Sequence, residues 1–273
     1  MLTPVDSVEN QLLAALTEAE RSRLLPHLER VEMPVGKVLH ESGIRLSHVY
    51  FPTTSIVSML CLMESGASSE IAVIGAEGIV GTALFMGDGS TTNRAVVQSA
   101  GEGFRLKARF MLDEFNRSGP AMQRLLRYTQ ALITQTSQTA ACNRHHSLDQ
   151  QLCRRLLLSL DRVKSNEIGG THELIGNMLG VRREGVTEAA GHLQHAGLIR
   201  YKRGRIMVLD RAGLEKRSCE CYAVVRNEYR RLLPAVMRSY GHVVEAARQP
   251  VPAIAIFDVG RIAAADMDFR QSA

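Results

Sequence analysis

Two arginines followed by a glutamate, at positions 182 to 184, open a segment with a helical pattern. Its apolar residues repeat at the i, i+3, i+4 and i+7 spacing of one helix face: Val186, Ala189, Ala190 and Leu193. The opposite face carries Arg183, Glu184, Thr187 and Glu188. An arginine can form a bidentate contact with guanine, and a glutamate can accept a hydrogen bond from cytosine. These residue types therefore predict a helix that reads base edges in DNA.

The elements on either side of this helix support that interpretation. A shorter helical pattern covers residues 171–179, and Gly180 and Val181 form a turn across which the two apolar faces can meet. Residues 198–201 and 205–209 predict two strands around a tight turn at Arg203 and Gly204.

Four basic residues lie in this hairpin: Arg200, Lys202, Arg203 and Arg205. Together with Arg182 they are expected to contact DNA phosphates, which adds affinity without reading sequence. The alternative is a solvated edge strand whose lysines and arginines only prevent aggregation.

The basic charge of the chain is concentrated in its middle third. Residues 1–118 carry 10 Lys/Arg against 14 Asp/Glu, residues 119–212 carry 14 against 7, and residues 213–273 carry 9 against 7. The net charges of these segments are therefore −4, +7 and +2. Such asymmetry suggests that one domain meets a polyanion while another has a different role, although a solvated basic face with no partner would carry the same charge.

Composition indicates a globular protein, since 45% of the residues are apolar and 22% are charged. No run reaches the roughly 18 apolar residues of a membrane-spanning helix, and the first residues lack a secretory signal. We therefore expect no membrane contact and a cytoplasmic location.

The segment "THELIGNMLGVRREGVTEAAGHLQHAGLIRYKRGRIMVL", residues 171–209, resembles the winged-helix DNA-binding domain of the Crp/Fnr superfamily of bacterial transcription regulators. The order of parts is similar over about residues 10–212. The resemblance is strongest in the helix-turn-helix. It is weaker in the N-terminal half, where "GKVLHESG" and the glycines 75, 78 and 81 match best.

This resemblance implies a sequence-specific transcription regulator that binds an inverted-repeat operator as a homodimer, with double-stranded DNA and RNA polymerase as partners. The recognition helix of the family typically begins Ser-Arg-Glu-x-x-x-Arg. Arg183 and Glu184 match this pattern, whereas Arg182 replaces the serine and Glu188 replaces the second arginine. The operator is therefore expected to differ from the family's commonest site in at least one position per half-site.

The resemblance also implies an effector pocket in the N-terminal domain, which we place at Gly81, Thr82, Asn93 and Arg94. Family members that bind cyclic nucleotides use a Gly-Glu pair and an Arg-Ser pair. Here Thr82 follows Gly81, and Asn93-Arg94 replaces Arg-Ser, so cyclic AMP is not expected. Arg94 either receives another anion or pairs with a surface acid.

The cysteines are scattered, at positions 61, 142, 153, 219 and 221, and give no disulfide framework. Cys219 and Cys221 lie in a predicted helix, where residues two apart point roughly 200° apart, so no metal is expected there. His192 and His195 share a helix face but lack a third ligand.

No cofactor is evident from the sequence. Enzyme motifs such as the nucleophile elbow, the phosphate-binding loop and the zinc-protease helix are missing, so an enzyme is not predicted. The alternative to a transcription regulator is an effector-binding or scaffold protein without DNA binding.

The predicted fold class is α+β, with an antiparallel β-roll, a long helix and a winged helix. Short β-favouring runs between residues 31 and 108 assign 1–118 to a sensor domain with N-terminal helices. A stretch without glycine follows Pro120, so 119–146 is the predicted dimerisation helix. Residues 147–212 are assigned to the winged helix, and 213–273 to a helix and a loosely ordered tail.

The dimer seam is predicted from the apolar stripe of the long helix, which is longer than a small β-domain usually needs to cover. The stripe comprises Met122, Leu125, Thr129, Leu132, Thr136 and Thr139, widened by Leu126, Ile133 and Ala140. A helix packed wholly within its own subunit is the alternative.

Overall fold

The computed structural model describes residues 9–163 and 165–237. The helices are α1 (Gln11–Ala14), α2 (Glu18–Leu24), α3 (Ala83–Met86), α4 (Ala108–Asn116), α5 (Pro120–His145), α6 (Leu148–Leu160), α7 (His172–Leu179), α8 (Arg183–His195), α9 (Arg211–Arg217), α10 (Glu220–Leu232) and α11 (Pro234–Met237). The strands are β1 (Glu29–Met33), β2 (Val38–His40), β3 (His48–Pro52), β4 (Ile56–Leu62), β5 (Ser68–Ile74), β6 (Asn93–Ser99), β7 (Gly101–Lys107), β8 (Glu167–Gly169), β9 (Ile199–Lys202) and β10 (Arg205–Val208).

The N-terminal β-roll consists of two antiparallel sheets, with strand orders β1-β7-β3 and β2-β6-β4-β5. Phe51 of β3 faces Phe104 of β7, and both side chains are buried. Ile56 and Ile74, from the other sheet, are buried in the same core. Alternating apolar residues on short strands thus form a closed core, as the sequence pattern predicts.

Helix α4 was not predicted, because the β-favouring pattern continues to residue 108 and the next helical signal is Pro120. The chain breaks between α4 and α5 at Ser118, whose φ of 55° is left-handed. Glu20 of α2 then accepts a hydrogen bond of 2.7 Å from the amide of Ala121 and so caps the first turn of α5.

The long helix α5 has one buried face and one exposed face. Leu125, Thr129, Leu132 and Thr139 are buried within the chain, on a helix that packs against β5 and α10. The prediction that these residues form the dimer seam is wrong, because the stripe covers the roll and α10 of its own subunit. The residues predicted to widen the stripe remain free: Leu126 is 42% exposed, Ile133 is 48% exposed, and Ala140 is exposed.

Helix α6 connects the roll to the C-terminal half. Its residues from Gln151 to Leu160 are all buried. Arg155 forms an ion pair with Glu70 of β5 at 3.3 Å. Just after the helix, Arg162 forms an ion pair with Glu77 at 2.7 Å, and both side chains are at most 4% exposed. Such buried pairs fix the relative placement of α6 and the roll, since breaking one would leave an uncompensated charge.

Beyond the winged helix, α9, α10 and α11 continue the chain to Met237. The predicted C-terminal helix is thus present as three helices within the described residues. The predicted tail, residues 250–273, lies outside them. Among residues 9–163 and 165–237, no helix has the length and apolar character required to span a bilayer.

Candidate nucleic-acid interface

Helices α7 and α8 form a helix-turn-helix. Thr171 caps α7 by accepting a hydrogen bond from the amide of Leu174 at 3.1 Å. Gly180 ends the helix in the left-handed conformation, with φ 69° and ψ 30°. The predicted bounds of both helices agree with the structure to within a residue or two, because caps and apolar spacing give the same answer.

The turn between the two helices is tight. A Cβ added at Gly176 would lie 2.9 Å from the carbonyl oxygen of Val181, closer than side chains normally approach. Val186, Ala189, Ala190 and Leu193 of α8 are buried beneath the turn. Small residues here allow α8 to pack closely, which turns its other face outward.

The exposed face of α8 carries the predicted base-reading residues Arg183, Glu184, Thr187 and Glu188, with Arg182 at the N-cap. Arg182, Arg183, Glu184 and Glu188 form no ion pair or side-chain hydrogen bond with any other described residue. Arg182 also supplies no cap to the first amides of α8. The head of the helix therefore presents free guanidinium groups and uncapped amides to solvent.

Thr187 differs from its neighbours because its hydroxyl is engaged. It donates to the carbonyl oxygen of Arg183 at 3.0 Å and lies 2.9 Å from His172 Nδ1. Since the hydroxyl proton is used by the carbonyl, the imidazole donates to Thr187. Thr187 thus presents mainly its methyl group to a ligand.

His172 connects the helix-turn-helix to the hairpin. Its ring stacks on Tyr201 of β9, with centroids 4.0 Å apart. Burial, aided by the positive charge of Arg183, lowers the pKa of His172. No local sequence pattern indicates this positioning residue, because its partners lie 15 and 29 positions further along the chain.

The predicted hairpin is β9 and β10, joined at Arg203 and Gly204, whose φ values are 49° and 76°. Two consecutive positive φ values are typical of a type I′ turn. Strand β8 pairs with β10 and completes a three-stranded sheet. It was not predicted, because the glycines of "SNEIGG" indicate a break.

The basic residues of the hairpin share one face. Arg200 and Lys202 are two residues apart on β9, and Lys202 lies opposite Arg205 of β10. Arg205 forms an ion pair with Glu167 at 2.7 Å, whereas Arg200, Lys202 and Arg203 are exposed without a partner among the described residues. Like charges placed directly opposite each other repel and destabilise the hairpin, and an anionic partner would relieve this repulsion.

The comparisons with known proteins agree with this geometry. Residues 150–217 match the model of the Crp-like helix-turn-helix domain. A Crp/Fnr-family transcriptional regulator from Eubacterium rectale is 19% identical, with a TM-score of 0.60 over 75% of this chain and 96% of that one. No curated protein matches the sequence.

Two further structures are similar at the same level. FixK2 from Bradyrhizobium japonicum is 15% identical, with a TM-score of 0.59 over 70% of this chain and 98% of that one. The c-di-GMP-responsive global regulator CLP from Xanthomonas campestris is 16% identical, with a TM-score of 0.56 over 70% of this chain and 99% of that one.

The chain has the fold of the Crp/Fnr transcription regulators. Residues 150–217 are its Crp-like helix-turn-helix domain, so the predicted α+β class and winged helix are confirmed. The matched relatives are described as regulators of transcription.

The predicted effector residues of this Crp/Fnr fold have partners within the roll. Arg94 forms two hydrogen bonds with Glu41, at 2.7 and 2.8 Å. Asn93 accepts a hydrogen bond from the Cys61 thiol at 3.3 Å. Gly81 has a φ of 110° and lies against Val49. Thr82 is the N-cap of α3, a four-residue helix that the sequence did not predict.

Two cysteines lie differently from the prediction. Cys219 is the N-cap of α10 and has an extended ψ of 168°, so it precedes the helix that contains Cys221. The prediction that both lie within one helix and point apart is wrong, since α9 ends at Arg217 and α10 begins at Glu220. A hydrogen bond with Cys142 lowers the pKa of the Cys219 thiol.

Proposed function

We propose that the protein is a sequence-specific, DNA-binding transcription regulator that acts as a homodimer. The observation that carries the proposal is the exposed face of α8. Arg182 and Arg183 stand there without acidic partners among residues 9–163 and 165–237, at the head of a helix in a Crp-like helix-turn-helix domain. A protein that used these arginines for its own stability would pair them, as it pairs many others.

Arg183 and Glu184 are the proposed base-reading pair. Arg183 would form a bidentate contact with guanine O6 and N7, and Glu184 would accept from cytosine N4. Thr187, whose hydroxyl is engaged internally, would contribute an apolar contact to a thymine methyl group. Glu188 would disfavour the base preferred by relatives that have arginine there.

Phosphate contacts would come from Arg182 and the hairpin. The uncapped amides at the start of α8 favour an anion beside Arg182. Arg200, Lys202 and Arg203 would contact the backbone next to the groove. Arg205 would contribute less, because Glu167 already neutralises part of its charge. These contacts position the protein without selecting a sequence.

The proposed dimer seam is the exposed face of α5, centred on Leu126, Ile133 and Ala140. These residues are seven apart, so they occupy one position of the heptad repeat that is typical of a two-stranded coiled coil. Leu126 and Ile133 are large apolar side chains that remain about half exposed in one chain. Two-fold symmetry would place one α8 in each half-site, with centres about 10 to 10.5 base pairs apart.

Control by a small effector in the roll, contact with RNA polymerase and a cytoplasmic location belong to the same proposal. An anionic effector at Arg94 would have to displace Glu41, which holds the guanidinium through two hydrogen bonds. Loss of that ion pair is then the event by which such an effector would act.

Selection of bound duplexes from a random pool by the purified full chain tests the proposal. We expect enrichment of an inverted repeat whose half-sites are one helical turn apart. Enrichment of a single unrepeated site would contradict the dimer. Retention of all sequences alike would contradict sequence-specific regulation and leave only non-specific DNA binding.

A further inference from the structure

Four side chains that can bind a metal meet beside the end of α5. Cys142 lies in its last turn, and His146 is its C-cap. Cys219 and Cys221 lie at the start of α10. One sulfur or nitrogen atom from each residue lies within 4.8 Å of all the others. Three thiols and an imidazole are a ligand set typical of structural zinc sites.

Two of the distances within the cluster are those expected around one tetrahedral ion, and all four ligand atoms lie within 4.8 Å of one another. The Cys142 and Cys219 sulfurs are 3.5 Å apart, and the Cys221 sulfur is 3.4 Å from His146 Nδ1. Zinc binds sulfur at about 2.3 Å and nitrogen at about 2.0–2.1 Å, so neighbouring ligands of a tetrahedron lie about 3.4–3.8 Å apart. An iron–sulfur cluster would hold its thiolates further apart, since several irons and sulfides lie between them.

Groups around the four ligands are also those expected of a metal site. The other ring nitrogen of His146, Nε2, is 3.3 Å from the Glu220 carboxylate. Metal-bound histidines usually donate this second N–H to such a partner, which fixes the ring and the tautomer. Gln138 Nε2 donates to the Cys221 sulfur at 3.1 Å, as a hydrogen bond to a bound thiolate would require.

The three thiols of the cluster are buried and separate from the apolar core, whereas His146 is 19% exposed. Cys142 and Cys221 are 0% exposed, Cys219 is 6% exposed, and the three form a buried group of their own. Cys219 and Cys221 also lie at the positive end of the α10 dipole, which favours thiolates. A disulfide between Cys142 and Cys219 would not explain why His146, Glu220 and Cys221 are arranged around the two sulfur atoms.

We propose that Cys142, His146, Cys219 and Cys221 bind one Zn²⁺ ion that fastens α10 to the end of α5. The site is independent of the proposed DNA contacts. Its place gives it a structural role, because it joins the long helix that carries the proposed dimer seam to the segment that follows the Crp-like domain.

Metal analysis of the full chain, purified with reductant and without chelator from medium containing both zinc and iron, tests the proposal. We expect about one zinc per chain, released by a thiol-reactive mercurial. Cobalt in place of zinc should give the intense visible bands of tetrahedral, thiolate-rich coordination. A chain that takes up neither ion, or that holds iron with inorganic sulfide, would overturn the proposal.

Variants separate these four residues from other thiols. The double variant Cys219→Ser/Cys221→Ser should lose stoichiometric zinc, whereas Cys61→Ser, in the roll, should keep it. Glu220→Gln, which leaves all four ligands in place, should fold normally and bind zinc about 10–100-fold more weakly. Equal zinc content in Cys61→Ser and the double variant would contradict the site, and unchanged affinity in Glu220→Gln would contradict the supporting role of Glu220.

Discussion

Three arginines of the roll and five basic residues of α8 and the hairpin lie in different surroundings. In the roll, three arginines face carboxylates of neighbouring strands or loops: Arg30 with Glu102, Arg94 with Glu41 and Arg105 with Glu29. On α8 and the hairpin, five basic residues have no acidic partner among the described residues: Arg182, Arg183, Arg200, Lys202 and Arg203. Exposure alone does not separate the groups, since Arg94 is itself 35% exposed.

Whether an exposed arginine already has a partner determines what it costs to bind an anionic ligand. An arginine that already holds a carboxylate must give up that ion pair before it can bind an anionic ligand. An unpaired one loses only water, which a phosphate or a guanine can replace through charge-assisted hydrogen bonds. The unpaired basic residues of α8 and the hairpin are therefore in the surroundings expected of a surface that binds an anionic ligand.

The largest expected effect concerns the proposed dimer seam, which would bring two such surfaces together. Ile133→Glu places a charge at the centre of the exposed face of α5, so we expect the dimer to dissociate. Affinity for an inverted repeat should then fall by more than about 100-fold, because bivalent binding is lost. Sedimentation velocity and fluorescence anisotropy measure the two effects.

Ile44→Glu is the matched control for the seam. Ile44 is 61% exposed but lies in the roll. The control should remain dimeric and bind normally. A dimeric Ile133→Glu protein would place the seam elsewhere.

Replacement of Arg183 tests whether an unpaired arginine on α8 contributes more to DNA binding than a paired arginine in the roll. Arg183→Ala should cost about 1–3 kcal/mol of operator binding and relax specificity at one guanine. Arg94→Ala removes an arginine that Glu41 already engages, so operator affinity should not change in the absence of an effector. Titration of both variants with the selected operator measures this. Equal losses in the two would remove the distinction between free and paired arginines.

The hairpin gives a smaller effect of a different kind. Arg203→Ala should weaken all duplexes alike and reduce the slope of log affinity against log salt by about 1, as expected for one phosphate contact. Arg203→Lys keeps the charge and should keep the slope. Arg205→Ala should change the slope less than Arg203→Ala, because Glu167 pairs with Arg205. A sequence-dependent loss in Arg203→Ala would move this residue to the base-reading group.

The smallest effect concerns His172. Burial lowers its pKa in the folded state, so the unfolded chain binds a proton first as the pH falls below about 6.5. Stability should therefore decrease from that pH down to the folded pKa, and be unaffected above it. His172→Asn should show a weaker decrease than the unmodified chain when urea unfolding is measured between pH 7.5 and 5.5. Parallel curves would show that His172 does not titrate differently in the two states.

The sequence predicted the helix-turn-helix well and the contacts between distant segments poorly. Caps, apolar spacing and turn residues are local signals, and they place α7, α8 and the β9–β10 hairpin to within a residue or two. The burial of Leu125 and Leu132 depends on packing with β5 and α10, which spacing along one helix does not reveal. For the same reason the sequence indicated which stripe of α5 is apolar, but it did not indicate which residues of that stripe remain exposed after the chain has folded.

The cysteine cluster shows the same limit. Cys142 and Cys219 are 77 positions apart, and only the packing of α10 on α5 brings them together. The spacing of Cys219 and Cys221 suggested divergent side chains because both were assigned to one helix. Cys219 is instead the extended N-cap of α10, so its side chain can point toward the same site as that of Cys221.

Parallel selections from one random pool, with the unmodified protein and Arg183→Ala, measure the contribution of Arg183 at each base pair of the operator. We predict that the unmodified protein enriches an inverted repeat and that Arg183→Ala enriches the same repeat with sequence preference lost at one symmetry-related pair of guanines. Identical preferences at every position would contradict the assignment of Arg183 as a base-reading residue. Loss of all enrichment in Arg183→Ala, with its fold and dimer intact, would contradict a role confined to one base pair per half-site.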